Sequence, residues 1–298
     1  MKPIEHYTLN PILKGKVVTA QYNADQVIKA YAGNPLIESL PSIMEEEEVL
    51  NIRPKYPDYD QSQLKMSRKL RLHCVKQLSD YVDILPIHIL KQRFSRMLRH
   101  GYVARNPLLR EYTRLFHVDV QKILGSSVDE DGANVAGIRS AAAGFNIIGV
   151  SGQGKSTADN LNLLLYPQVI QHSEYKGKPF ILDQLVWLKF NCPFDGTIKG
   201  LCINFLQAVD AVLGTNYYKR FSTKGSTTDT LILRTAQIAS GHCLGTLVID
   251  EIQNLFLEKS SGLKWRVQVN LFLDMINTIG VPIVLVEQLI HRSEEKTR

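Results

Sequence analysis

The chain has 298 residues, 44% of them apolar and 21% charged, and a formal net charge of +6. That is enough apolar material for one large core or two modest ones, and no run approaches the roughly 18 apolar residues of a membrane span, so no membrane partner is expected. Met1 is not followed by an apolar leader, and Cys74, Cys192, Cys202 and Cys243 contain no Cys-x-x-Cys pair, so a cytoplasmic protein with reduced, mostly buried thiols is expected.

Residues 1–60 are broken by prolines at 3, 11, 35, 41, 54 and 57 and read as irregular, with one short helix starting at the capping pair Ser42 and Glu45. Residues 61–124 read as a small basic helical domain. Its first helix is capped by Asp60. The second carries Leu90, Phe94, Met97 and Leu98 at helical spacing and is expected to stop at Gly101. The third opens on Asn106-Pro107. Twelve Lys and Arg against three acids in residues 62–114 exceed the excess of the whole chain, which concentrates the positive charge here. Three readings stand for it: solvated helix faces, DNA phosphate contacts, or docking to an acidic partner surface. Residues 125–139, with Gly125-Ser126-Ser127 and Asp129-Glu130-Asp131-Gly132, read as a linker.

From about residue 140 to 298 the pattern alternates strand and helix, which predicts a parallel sheet flanked by helices. Strands are predicted over 145–150, 184–191, 246–249 and 281–286. Helices are predicted over 156–165, 198–213, 228–240 and 265–279.

The first predicted strand runs into Gly149-Val150-Ser151-Gly152-Gln153-Gly154-Lys155-Ser156-Thr157. This fits the phosphate-loop pattern G-x-x-x-x-G-K-[ST] at every fixed position. The glycines let successive N–H groups converge on phosphate oxygens, and the following helix aims its positive end at the same charge. Lys155 adds a cation, and the Ser156 hydroxyl can ligate magnesium. The expected ligands are therefore ATP and Mg2+. A second signal, Leu247-Val248-Ile249-Asp250-Glu251, is an apolar strand ending in two acids, 95 residues after Lys155. An Asp at such a strand end holds the metal in P-loop ATPases, and an adjacent Glu can take a proton from water. Asp250 and Glu251 are assigned those roles. Glu251 favours hydrolysis, or ATP used as a timed switch, over phosphoryl transfer to a small acceptor.

These residues, with the further apolar strand Val281-Pro282-Ile283-Val284-Leu285-Val286, resemble the AAA+ ATPases. Within that group, several stretches are similar to the TnsC-like regulators of bacterial transposition. They are Tyr166-Pro167-Gln168-Val169-Ile170 with His172 and Tyr175, Gln184 to Lys189, and Cys192-Pro193-Phe194-Asp195-Gly196-Thr197-Ile198-Lys199-Gly200-Leu201. Upstream, Leu85-Pro86 and Gly101 to Pro107 fit the same family. The resemblance covers roughly residues 60–286. It implies a protein that assembles on double-stranded DNA with ATP bound, as a ring or filament of identical copies. Such a protein takes a signal from a target-selecting protein and recruits the transposase. Two departures stand out. Glu287 and Gln288 follow the last strand, where the family usually has a small residue and a Thr or Asn sensing the γ-phosphate. No helical lid follows before Arg298, so a truncated or frameshifted product is expected, an ATPase only if its site is competent. A second basic spot, Tyr217-Tyr218-Lys219-Arg220 with Lys224, is a further candidate for DNA contact. The alternatives are a helicase-loader or replication-initiator-like ATPase, and a nucleotide-binding remnant without turnover.

Overall fold

The computed structural model describes residues 14–44, 60–74, 85–109, 144–223, 225–256 and 280–288. At its centre is a four-stranded parallel sheet. It comprises β2 (Phe145–Gly149), β5 (Trp187–Asn191), β6 (Thr246–Asp250) and β7 (Ile283–Gln288), in the order β2-β7-β6-β5. β6 is buried along its whole length. This explains its unbroken apolar run, because a parallel strand covered on both faces has no solvent side to mark with polar residues.

The two faces separate by the two-residue period of the strands. Leu188, Phe190, Leu247, Ile249 and Ile283 point into one apolar cluster. There they meet α5 (Ile198–Leu213) and α7 (Thr228–Gly241), which supply Leu201, Phe205, Leu206, Leu231 and Ala236. Thr197 accepts from Gly200 N–H to start α5, and Gly214 ends it at φ +70°. Thr227 caps α7 in the same way through Thr230 N–H. Between them lies the short α6 (Tyr217–Phe221). Trp187, Val248, Val284 and Val286 point to the opposite face.

That second face is covered by α3 (Leu85–Val103), through Phe94, Met97, Leu98 and Tyr102, and by Leu163 of α4 (Lys155–Leu163). The basic helical region therefore reaches the central sheet directly. α3 does not stop at Gly101 as expected but runs on to Val103. The glycine has another cause: a Cβ there would stand 2.7 Å from Pro282 Cγ, so its bare backbone lets helix and sheet approach. The chain turns off at Arg105, which is buried. Its Nε donates to Gly101 O at 2.8 Å and its Nη1 to Leu244 O at 2.5 Å. Asn106 Oδ1 then accepts Leu108 N–H, as a cap would. The helix expected after it, the 125–139 linker and the predicted helix over 265–279 lie outside the described residues.

Two differences from the sequence reading concern strands. The run 184–191, predicted as one strand, is two. β4 (Lys178–Leu185) pairs antiparallel with β3 (Val169–Tyr175), and the chain then crosses at Val186 into β5 of the central sheet. The β3–β4 turn is Lys176-Gly177, both at positive φ, the geometry a two-residue hairpin loop requires. Residues 14–44, read as irregular, add β1 (Val17–Thr19), parallel to β3, and α1 (Pro35–Glu38). A buried polar network fastens this segment. Glu38 accepts from Gly33 N–H and Tyr175 Oη, and Asn34 donates to Tyr102 O. Gln184 donates to Leu36 O and accepts from Ser39 Oγ. Upstream of α3, α2 (Arg68–Cys74) has no buried residue.

Candidate functional site

β2 ends at Gly149, and the loop to α4 is shaped by Gly152 and Gly154, at φ +80° and +75°. A side chain at either position would be strained in this left-handed region. Gly149 is needed for a different reason: a Cβ there would lie 2.2 Å from Gln153 Oε1. That oxygen accepts Val150 N–H at 3.1 Å, and Lys155 Nζ donates to Val150 O at 2.7 Å. Gln153 and Lys155 thus brace the loop from within. Gly154 is the N-cap of α4 and provides no side-chain acceptor, so the first-turn N–H groups keep their capacity for an anion.

Across from the loop, Asp250 is the last residue of β6. Its Oδ1 accepts Glu251 N–H at 2.9 Å. Glu251 itself has φ +57°, an uncommon conformation for a side chain of its size and of a kind that clusters at functional sites. Its carboxylate accepts from Gln253 Nε2. The turn brings Asp250 and Glu251 into one cleft with Ser151, Gly152, Gly154, Lys155, Ser156 and Thr157. Of the nine loop residues assigned from sequence, these six line the cleft. Gly149, Val150 and Gln153 serve the shape of the loop.

The structure adds two charged residues that sequence reasoning did not assign to the site. Glu287 of β7 lines the cleft, placed there by pairing with Ile148 just before the loop. Its only trace in the sequence is an acid near the end of an apolar strand, which runs on to Gln288. Lys189 of β5 lies behind the cleft, 5% exposed. It is ion-paired to Asp159 of α4 at 2.9 Å and to Asp250 at 3.2 Å. A lone lysine inside the apolar run Leu185–Phe190 was its trace in the sequence. Burial pushes the Asp159 carboxyl above its ordinary value, against the pull of Lys189.

The donor set suits a phosphate-borne magnesium ion. Among the described residues no three His, Cys, Asp or Glu cluster as a metal cage. The cleft does offer a hydroxyl, Ser156, and a carboxylate, Asp250. One or two hard oxygens of this kind are what Mg2+ takes from a protein when phosphates supply others. Three carboxylates in the cleft would otherwise repel a triphosphate.

The expected basic surface divides. Lys91, Arg99 and Arg105 are buried. Arg99 donates to Ser95 Oγ and to Pro41 O, and Lys91 Nζ meets Met44 Sδ, so these three cations face protein groups and are neither solvated nor open to DNA. Lys65, Arg68, Lys69, Arg71, Arg93 and Arg96 are exposed. So are Lys219 and Arg220 of α6, beside Arg234, and both arginines stand over the Phe221 ring at 5.3 and 5.1 Å. Lys224 lies outside the described residues. Among the described residues no helix is long and apolar enough to cross a membrane.

A family model described as AAA domain matches residues 139–290, just over half of the chain. No curated protein matches it.

Proposed function

The chain belongs to the AAA domain family of nucleotide-binding P-loop ATPases, and from that premise we propose that it is an ATP-dependent regulator of DNA transposition. In this reading it assembles on double-stranded DNA and links a target-selecting protein to the transposase. The observation that carries the nucleotide part is the shared cleft of Lys155, Ser156, Asp250 and Glu251. The loop N–H groups and Lys155 bind the β- and γ-phosphates. Ser156 and Asp250 hold Mg2+, which offsets phosphate charge when bound. Glu251 takes the proton of the attacking water, a contribution of about 10²–10⁴ in rate, while Lys155 and the α4 N-terminus receive the charge on the phosphate oxygens.

The transposition part is supported by the motifs between the two halves of the site. Tyr166 and Trp187 are buried where the β3–β4 hairpin meets the central sheet, with Trp187 Nε1 donating to Tyr166 O, while His172 and Tyr175 are buried against the N-terminal segment, where they meet Tyr22 and Glu38. Cys192 N–H donates to Asp250 O, which ties the 192–201 stretch to the metal-binding strand end. The exposed cations of α6 and Arg234 suit DNA phosphates read without sequence preference.

The test is a gel-shift on duplex DNA with and without ATP, across a salt series. The reading predicts ATP-dependent, sequence-indifferent binding that weakens steeply with salt. Binding that is the same with and without ATP would overturn it.

A further inference from the structure

The ammonium of Lys189 has three donors and three acceptors within reach: Asp159 Oδ2 at 2.9 Å, Asn160 Oδ1 at 2.8 Å and Asp250 Oδ2 at 3.2 Å. Asp159 and Asn160 belong to α4, the helix that begins at Lys155. Asp250 closes β6. In register Lys189 stands beside Val248, two residues before Asp250 and so on the same face of the sheet. A single buried cation thus spans the seam between the phosphate loop's helix and the strand that ends in the two acids. With Oδ2 on Lys189 and Oδ1 on Glu251 N–H, both carboxylate oxygens of Asp250 are held by this chain.

We propose that Lys189 is a positioning residue of the nucleotide site, tethering Asp250 to the phosphate-loop helix so that its carboxylate is oriented for a phosphate-bound Mg2+. This rests on the reading of the cleft as an ATP–Mg2+ site. A buried ion pair is a poor stabiliser, because desolvation offsets much of its attraction, and here one cation faces two carboxylates. Its location accounts for it better: outer partners fix the orientation of metal-binding groups, and losing one costs about 10–100-fold in metal affinity. The same carboxylate holds Glu251 N–H, so the tether also sets where the water-activating residue begins.

The test separates orientation from charge. Lys189→Met combined with Asp159→Asn removes one positive and one negative charge, leaving the site's net charge unchanged. Asn160→Ala removes a neutral anchor of Lys189 on an accessible helix position. Binding of a fluorescent ATP analogue is measured in EDTA and over a Mg2+ titration, with thermal unfolding alongside. The tether predicts metal-free binding within about twofold of wild type in both variants. The Mg2+ concentration for half-maximal effect should rise about tenfold in the double variant and about threefold in Asn160→Ala. Wild-type Mg2+ dependence in the double variant overturns the tether. If the double variant does not fold, unchanged Mg2+ dependence in Asn160→Ala overturns it. A wild-type chain that binds no analogue in either condition overturns the nucleotide reading beneath it instead.

Discussion

Glu287 pairs in register with Ile148, one residue before the first glycine of the phosphate loop. The parallel pairing of β2 and β7 therefore delivers a carboxylate into the cleft that also holds Lys155 and Ser156. A negative group there opposes a triphosphate. Glu287→Gln is expected to tighten nucleotide binding, with the larger gain in EDTA, where no metal offsets the charge. An exposed charge interaction of about 0.5–1 kcal/mol corresponds to roughly two- to fivefold in affinity. Titration of a fluorescent ATP analogue checks this, and weaker binding by the variant would contradict the placement.

Glu251 holds φ +57°, which costs an L-residue about 1–2 kcal/mol. Glycine adopts this conformation freely but loses more chain entropy on folding, about 0.5–1 kcal/mol. Glu251→Gly should therefore leave stability within about 1 kcal/mol of wild type while lowering ATP turnover by about 10²–10⁴. Urea unfolding beside a phosphate-release assay measures both. A variant that turns over ATP at the wild-type rate removes Glu251 from the mechanism.

Gly101→Val tests the packing of α3 on the sheet. The added Cβ meets the Pro282 ring at 2.7 and 3.0 Å, and a proline ring cannot swing aside as a flexible side chain would. Overpacking of this kind costs about 1–3 kcal/mol. A shift of the urea midpoint to lower concentration is expected, and an unchanged midpoint would show that α3 is not held there.

His172 makes stability depend on pH. Its Nε2 meets Gln184 Oε1 at 2.9 Å and its Nδ1 meets Tyr22 Oη at 2.7 Å. Burial, the largest cause, lowers its pKa from the ordinary value, while Gln184 and Asp183 pull the other way. The folded state thus binds its proton less readily than the unfolded state. The stabilisation is complete above the ordinary histidine pKa of about 6.5 and is lost as pH falls below it. His242 is lowered by burial too, so the comparison must isolate one site. Between pH 7.5 and 5.5 the wild type should lose more stability than His172→Gln. Equal losses would show that His172 does not titrate across folding.

The parts of the molecule legible in the sequence are those whose chemistry is local. The phosphate loop is nine consecutive residues, and Asp250-Glu251 sit at the end of a short, β-branched apolar run that reads as a buried strand. Both were placed correctly relative to their strands and helices. Lys189 and Glu287 were not assigned because their roles arise from register: neither neighbours a loop residue in sequence, and only pairing of β5 with β6 and of β7 with β2 brings them in. The hairpin was missed because Leu185 to Leu188 is an unbroken apolar run, which hides the change of sheet at Val186. Gly101 looked like a helix stop because a glycine needed for close approach and one needed for a left-handed cap are the same letter. Arg105 counted toward a basic surface, although two of its three carbonyl partners, Leu244 O and Gly245 O, are reached only when α3 lies on the sheet.

The most direct test of the account is ATP binding by isothermal titration calorimetry, wild type against Lys155→Ala. Lys155 is partly exposed and its hydrogen bond is to its own loop, so the substitution should shift stability by no more than about 0.5 kcal/mol. The account predicts measurable ATP binding in the wild type and none in a folded Lys155→Ala. A Lys155→Ala chain that binds ATP with wild-type affinity would contradict it.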